Sequence, residues 1–149
     1  KTLRDALDQL KLSIDSIHLA PGDVTALLAN MRYRLGPRFA GEGIELQWDV
    51  ELLPVSQSLD ASAMSELQFM LFEALSNVLQ HAAATVLRIE ASATDGGAVL
   101  RIVDNGRGFD VTAPPRKGLA SQRERASAMG ASVQIASQPG RTVVEIRIG

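Results

Sequence analysis

The chain contains no cysteine, so it offers neither a disulfide framework nor a thiolate zinc site, and it suits a reducing cytoplasm. No apolar run approaches the length of a bilayer span, and no signal peptide is visible. Those absences describe a soluble fragment that makes no membrane contact of its own. A large charge of one sign is missing too: the formal net charge is −2, which argues against a general nucleic-acid or membrane-surface binder and leaves only a local basic patch open. There is no internal repeat and no low-complexity tract. Apolar residues, by contrast, make up 46% of the sequence, enough to build a folded core. At 149 residues that core fits one domain with a small appendage. Because Lys1 already lies inside a helical pattern, a fragment of something longer is expected.

Leu3, Leu7, Leu10, Ile14 and Ile17 recur at alternating spacings of four and three, the apolar seam of a helix that packs along another helix. Pro21-Gly22-Asp23 breaks the pattern, and Asp23 is placed to cap a second amphipathic helix carrying Val24, Leu27, Leu28, Met31 and Leu35. Gly36-Pro37 is expected to fray its end. Residues 44–50 alternate apolar and polar, as in a half-buried strand closed by Pro54. Asp60 should cap a long helix over residues 61–82, with Leu67, Leu71, Ala74, Leu75 and Val78 as its core stripe. Residues 85–93 and 98–103 flank Asp95-Gly96-Gly97 as a hairpin. An irregular loop over residues 105–117 contains Pro114-Pro115. Residues 118–129 look helical, with Gly130 as the C′ residue. Strands over 132–136 and 142–148 are joined by a turn at Gln138-Pro139-Gly140. This order predicts an α+β fold, a two-layer α/β sandwich with helices on one face of a mixed, mostly antiparallel sheet.

The run Asp104-Asn105-Gly106-Arg107-Gly108-Phe109 puts one carboxylate and two glycines at the end of a strand. Gly106 and Gly108 can adopt positive φ and admit a ligand close to the backbone, while Asp104 can accept a hydrogen bond from an exocyclic amine. Taken alone, the run fits a tight surface turn as well as a nucleotide pocket. Strand parity adds to it. Leu100, Ile102 and Asp104 share one face, as do Thr142, Val144, Ile146 and Ile148. If the apolar sides face the helices, Asp104 and Thr142 are neighbours on a pocket floor. On the long helix Glu73, Asn77 and His81 stand four apart and stack along one side. A solvated helix face is the plain alternative. Asn77, however, sits between Leu75 and Val78 in the most apolar stretch, where an unpartnered amide is costly and needs a ligand, a metal ion or a buried partner.

These motifs resemble a known family. Leu71-Phe72-Glu73-Ala74-Leu75-Ser76-Asn77-Val78-Leu79-Gln80-His81-Ala82 resembles the N box of sensor histidine kinases, and the Asp104 run resembles their first glycine box. Gly118-Leu119 with Arg123-Glu124-Arg125-Ala126 resembles the second, and Pro139-Gly140-Arg141-Thr142 matches the closing glycine and threonine of the GHKL ATPase superfamily shared with gyrase and the Hsp90 chaperones. The Arg-Glu-Arg-Ala helix is similar to that of two-component kinases of the nitrate and membrane-fluidity sensor subclass. The resemblance covers nearly the whole chain and implies the Bergerat, histidine-kinase-like ATPase fold. It makes residues 1–20 a remnant of the second helix of a dimerisation hairpin and residues 21–149 the catalytic ATP-binding domain.

The resemblance also implies roles. Asn77 would be a ligand of the Mg²⁺ that bridges the ATP phosphates, and one amide oxygen suffices because Mg²⁺ takes few protein ligands. Glu73 would orient that site or polarise a metal-bound water, which makes Glu73 and Asn77 the catalytic candidates, although a surface carboxylate is the alternative for Glu73. Asp104 would accept a hydrogen bond from the adenine amino group, supported by Thr142 directly or through water. Gly106 and Gly108 would let the loop fold over the nucleotide, and Lys117 is the basic candidate for the phosphates. Gly118 and Leu119 would open a helix whose free N–H groups face them. His81 would line the pocket or cap its helix dipole. Gln80 is a neutral amide where many relatives carry a basic residue. Trp48 is assigned to core or edge packing.

The implied activity is transfer of the ATP γ-phosphoryl group to a histidine on a helix that precedes Lys1. The chain has two histidines, His18 and His81, and neither stands at the acceptor position, so the fragment is expected to bind ATP and lack its own phosphoacceptor. Implied partners are the dimerisation and phosphoacceptor helix of the same protein and a response regulator. The setting is a cytoplasmic, bacterial one, within a full-length homodimer that can be membrane-anchored. Two other readings stay open: a non-catalytic nucleotide-sensing interaction module, and a serine kinase of an anti-sigma-factor type, against which the seam before Pro21 argues.

Overall fold

Two aspartates start the helices. In the computed structural model, which describes residues 22–55, 59–81, 83–95, 97–107, 126–127 and 130–148, Asp23 Oδ1 accepts from the Ala26 N–H at 3.0 Å and opens α1 (Val24–Gly41). Asp60 Oδ1 accepts from the Ala63 N–H at 2.8 Å and opens α2 (Ala61–His81). Each cap satisfies a donor that the first helical turn leaves without a partner. The helix α1 does not fray at Gly36-Pro37; it continues to Gly41 with Pro37 inside it. Pro37 has no N–H for the Tyr33 carbonyl, an omission that costs ~3 kcal/mol. Leu35 and Phe39 are both 1% exposed on the core side, and burying a side chain of that size returns roughly 1.5–3 kcal/mol. Packing beyond the proline therefore carries the helix through it.

The remaining elements form one five-stranded sheet: β1 (Glu45–Val50), β2 (Val86–Thr94), β3 (Gly97–Asp104), β4 (Ser132–Gln138) and β5 (Arg141–Ile148), in the order β1-β2-β3-β5-β4. The strand β1 runs parallel to β2 because α2 supplies the crossover between them, whereas the other neighbours are antiparallel. Every strand expected from alternation is present, with ends shifted by at most two residues. Leu87, Ile89, Leu100, Ile102 and Ile146 are buried on one face of the sheet, in a single core with Leu27, Met31 and Leu35 of α1 and Leu67, Met70 and Leu71 of α2. The result is the expected two-layer sandwich. No helix among the described residues is long and apolar enough to cross a membrane. The expected seam over residues 3–17 lies outside the described residues, as do the loop from residue 108 and nearly all of the helix over 118–129. At the end of that helix, Gly130 has φ +73° and donates to the Ser127 carbonyl at 3.2 Å, as a C′ glycine does.

The opposite sheet face is organised by charge. Arg88 reaches Asp49 at 2.7 Å and Glu90 at 2.8 Å, Arg101 lies 3.8 Å from Glu90 and 2.8 Å from Glu145, and Arg147 lies 3.0 Å from Glu145. The hydrogen bond from Arg101 holds the Glu145 carboxyl below its ordinary range. Side chains at the arginine positions are 42–54% exposed, so the ladder aligns strands more than it stabilises them. Two variants separate the layers: in urea titrations Leu67→Ala is expected to cost about 2–5 kcal/mol, and Arg101→Ala less than about 1 kcal/mol, falling further in high salt.

Candidate functional site

Alternation along β3 places Asp104, its last residue, on the same face as Leu100 and Ile102. The register puts it directly between Leu87 of β2 and Thr142 of β5. Asp104 is 6% exposed and Thr142 5%, so the two polar side chains form adjacent points on the inner floor, as parity predicts. Burial raises the Asp104 carboxyl above its ordinary value of 3.8, against a smaller opposing effect from the Gly106 N–H. That N–H donates to Oδ1 at 2.9 Å. Among the described residues Oδ2 accepts no hydrogen bond. The Thr142 hydroxyl lies 2.7 Å from the Ser137 hydroxyl, its cross-strand partner in the β4–β5 hairpin.

Three residues to which the sequence assigned no contact hold this floor in place. Asn105 Oδ1 accepts from the backbone N–H groups of Thr85 and Val86, both at 2.9 Å, and its Nδ2 donates to Thr85 Oγ1 at 2.9 Å. This one side chain ties the end of β3 to the start of β2. The Gly140 N–H donates to the Gly106 carbonyl at 2.9 Å, joining the β4–β5 turn to the loop after Asp104. Gly140 has φ +90°, a conformation that a side chain at that position would strain. Ser137 is the third, and hairpin arithmetic across Gln138-Pro139-Gly140-Arg141 pairs it with Thr142.

The helix α2 packs on β3 and so shares this side of the sheet. Glu73 is half-buried, and its Oε2 is buried without a hydrogen-bond partner. One turn on, Asn77 is exposed. That corrects the expectation of an apolar surround: Leu75 and Val78 turn into the core, whereas the 100° step per residue carries Asn77 out of it. Its amide therefore has no desolvation debt to settle. His81 closes α2, and its side chain lies outside the described residues, as do Gly108, Lys117, Gly118 and Leu119. Among the described residues no cluster of three or more His, Cys, Asp or Glu could hold a metal by itself. A lone orphaned carboxylate oxygen beside an exposed amide instead fits Mg²⁺, which takes one or two protein oxygens and fills its octahedron with water and phosphate. Trp48 sits half-buried on the sheet edge with the Arg32 guanidinium 4.8 Å from its ring centroid, an edge-packing position.

A family model described as histidine kinase-, DNA gyrase B- and HSP90-like ATPase matches residues 63–149, which include Glu73, Asp104 and Thr142. The sensor protein VraS of Staphylococcus aureus (strain COL) is 34% identical over 138 residues, covering 84% of this chain and 40% of VraS. The chain thus spans well under half the length of that relative. Among solved structures, the Acinetobacter baumannii histidine kinase AdeS matches with a TM-score of 0.74 at 18% identity over 98% of this chain and 74% of that one. Full-length ShkA in complex with AMPPNP matches with a TM-score of 0.72 at 24% identity over 97% of this chain and 36% of that one. At such identities the structural likeness speaks for the fold.

Because burial opposes the charged form of Asp104, Asp104→Asn should fold and be as stable as the wild type or more so near neutrality, its Oδ1 still accepting from Gly106. The carboxylate's cost is present above its raised pKa and disappears as pH falls through that value toward the ordinary one. The gap in melting temperature between the two proteins should close over the same window. Asn105→Ala, which frees the Thr85 and Val86 N–H groups, is expected to lose about 1 kcal/mol, read by thermal unfolding.

Proposed function

The chain belongs to the histidine kinase-, DNA gyrase B- and HSP90-like ATPase family, as the ATP-binding catalytic domain of a sensor histidine kinase, and from that premise we propose how its residues divide the work. The observation that carries the proposal is the buried Asp104 carboxylate, whose Oδ2 accepts no hydrogen bond among the described residues, next to Thr142. A carboxylate in a site of low polarity discriminates strongly between a donor and an acceptor on the incoming base edge. The adenine amino group donates to Oδ2, whereas a guanine carbonyl at the same place sets acceptor against acceptor. Thr142, with Ser137 at 2.7 Å, supports that edge. The Gly106 backbone, fastened from both sides by Asp104 and Gly140, forms the near wall, and Gly108 is assigned to the same role by its motif position.

At the other end Asn77 would hold Mg²⁺, which would supply charge neutralisation along the phosphate chain. Asn77 would offer its amide oxygen from the exposed side of α2, and Glu73, whose Oε2 is buried without a partner, would orient that site or polarise a water bound there. Lys117, the N–H groups of Gly118 and Leu119, and His81 complete the phosphate side, on the strength of their motif positions. The reaction is transfer of the γ-phosphoryl group to a histidine outside residues 1–149, achieved by positioning and electrostatics without a covalent enzyme intermediate. The partners are that phosphoacceptor and dimerisation helix of the same protein and a response regulator, in a cytoplasmic setting. Gln80 supports a second reading, a non-catalytic nucleotide-sensing module, because it is neutral and half-buried where a basic residue would meet a phosphate.

Calorimetric titration with a non-hydrolysable ATP analogue and Mg²⁺ should show saturable binding, and Asp104→Ala should weaken it by about tenfold or more, ~1.4 kcal/mol. Unchanged binding by that variant would remove the base-recognition role. Asn77→Ala should abolish the dependence of affinity on Mg²⁺. With labelled ATP and a dimerisation hairpin supplied from the full-length protein, labelled histidine identifies the kinase, and binding without labelling identifies the sensing module.

A further inference from the structure

Asp104 of β3 stands directly opposite Thr142 of β5, and Thr142 stands directly opposite Ser137 of β4. The three side chains therefore form one row on the inner face of the sheet, at steps of roughly 4.8 Å. The inward positions of β4 alternate with exposed ones, and Ser137 takes the last of them after Val133 and Ile135. A hydroxyl thus replaces an aliphatic side chain at the point where the strand meets the pocket floor. The row is rigid, because the Gly140 N–H, in the turn between Ser137 and Thr142, donates to the Gly106 carbonyl at 2.9 Å, and the Gly106 N–H donates to Asp104 at 2.9 Å.

A hydroxyl carries one proton and two lone pairs. The Ser137 and Thr142 oxygens are 2.7 Å apart and either can be the donor, so the direction of this one bond decides what Thr142 presents to the pocket. If Thr142 donates to Ser137, the floor offers two acceptors side by side, Thr142 and Asp104. That pattern suits guanine, whose ring N1–H and neighbouring amino group are both donors. If Ser137 donates to Thr142, the Thr142 proton points into the pocket and the floor offers an acceptor beside a donor. That suits adenine, whose amino group donates and whose adjacent ring N1 accepts. Asp104 alone does not make this choice, since a carboxylate accepts from either base. The placement of charge does. The Asp104 carboxylate, 6% exposed, flanks Thr142 on the side away from Ser137, and its field turns the Thr142 O–H toward the Asp104 side. A Thr142 lone pair then faces β4, where the Ser137 proton meets it, and a hydroxyl that accepts in this way becomes a stronger donor.

We propose that Ser137 is a positioning residue that fixes Thr142 as a hydrogen-bond donor and so selects adenine over guanine. The inference rests on the reading of Asp104 as the acceptor for the base amino group, and the two are separable by nucleotide chemistry.

The 149-residue chain is titrated calorimetrically, with Mg²⁺, with three non-hydrolysable triphosphates: the adenine compound, its 1-deaza form, in which ring N1 is a C–H, and the purine form, which lacks the amino group. Wild type should prefer adenine over the 1-deaza form by about fivefold and over the purine form by about tenfold. Ser137→Ala should lower the first ratio below about twofold and leave the second in place. Ser137→Val, which fills the volume of threonine without its hydroxyl, should act likewise, and Ser137→Thr should restore the first ratio. Equal weakening of all three nucleotides by Ser137→Ala and Ser137→Val would mark a merely structural role and overturn the proposal. An unchanged first ratio overturns it too, as does tighter adenine binding by Ser137→Ala, which would mean that Thr142 donates to Ser137. A wild type that shows the second preference without the first removes the role of Ser137 alone, whereas absence of the second removes the reading of Asp104 and this inference with it.

Discussion

The arrangement of this domain depends on the two-residue alternation of β3 against a sheet with one apolar face. With Leu100 and Ile102 committed to the core, Asp104 has no choice but to follow them inward. A slip of one residue would send the carboxylate to the charged face and bring Val103 and Arg101 under the helices, so the register is specified by burial. It is locked again on the other side, where Arg88 meets Asp49 and Arg101 meets Glu90 and Glu145 across neighbouring strands, opposite charges in contact. The position of Thr142 follows from the same pairing, transmitted from β3 to β5.

Asp104 is also the place where the fold departs from its own rule. Every other inward position of β3 is apolar, and a carboxylate there raises its own pKa through desolvation. The Gly106 N–H offsets part of that cost and no described residue offsets the rest. A sequence normally breaks the agreement between pattern and burial only at a site that uses the exception. Asp104 Oδ2, without a donor among the described residues, and Glu73 Oε2, buried without one, are both such exceptions, and both lie on the helix side of the sheet.

Much of this is legible in the amino-acid sequence. The caps at Asp23 and Asp60, the strands and the inward aim of Asp104 and Thr142 follow from local rules, because capping and alternation act over a few residues. The failures have a common origin in distance along the chain. Pro37 looks like a stop until Phe39 is known to be buried by elements elsewhere. Asn77 looks buried in a window of apolar neighbours, yet one residue's turn of the helix takes it out of the core. Asn105 could not be assigned its bonds to Thr85 and Val86, twenty and nineteen residues away, until β2 and β3 were known to pair. The parallel placement of β1 at the edge is likewise a product of topology.

Asn105 and Gly106 together carry a chemical liability as well as a structural role. An asparagine followed by glycine is the pair most prone to cyclise to a succinimide and open to aspartate or isoaspartate, a reaction in which the Gly106 amide nitrogen attacks the Asn105 side-chain carbonyl. In the folded chain the Gly106 N–H is held by Asp104 Oδ1 and the Asn105 carbonyl by two backbone N–H groups. These bonds fix the Asn105 side chain and the Gly106 backbone, and so oppose the rotation that would bring the nitrogen onto the carbonyl carbon. The same contacts that shape the pocket floor therefore slow its ageing, and molecules that spend time unfolded would accumulate a damaged floor that refolding alone does not repair.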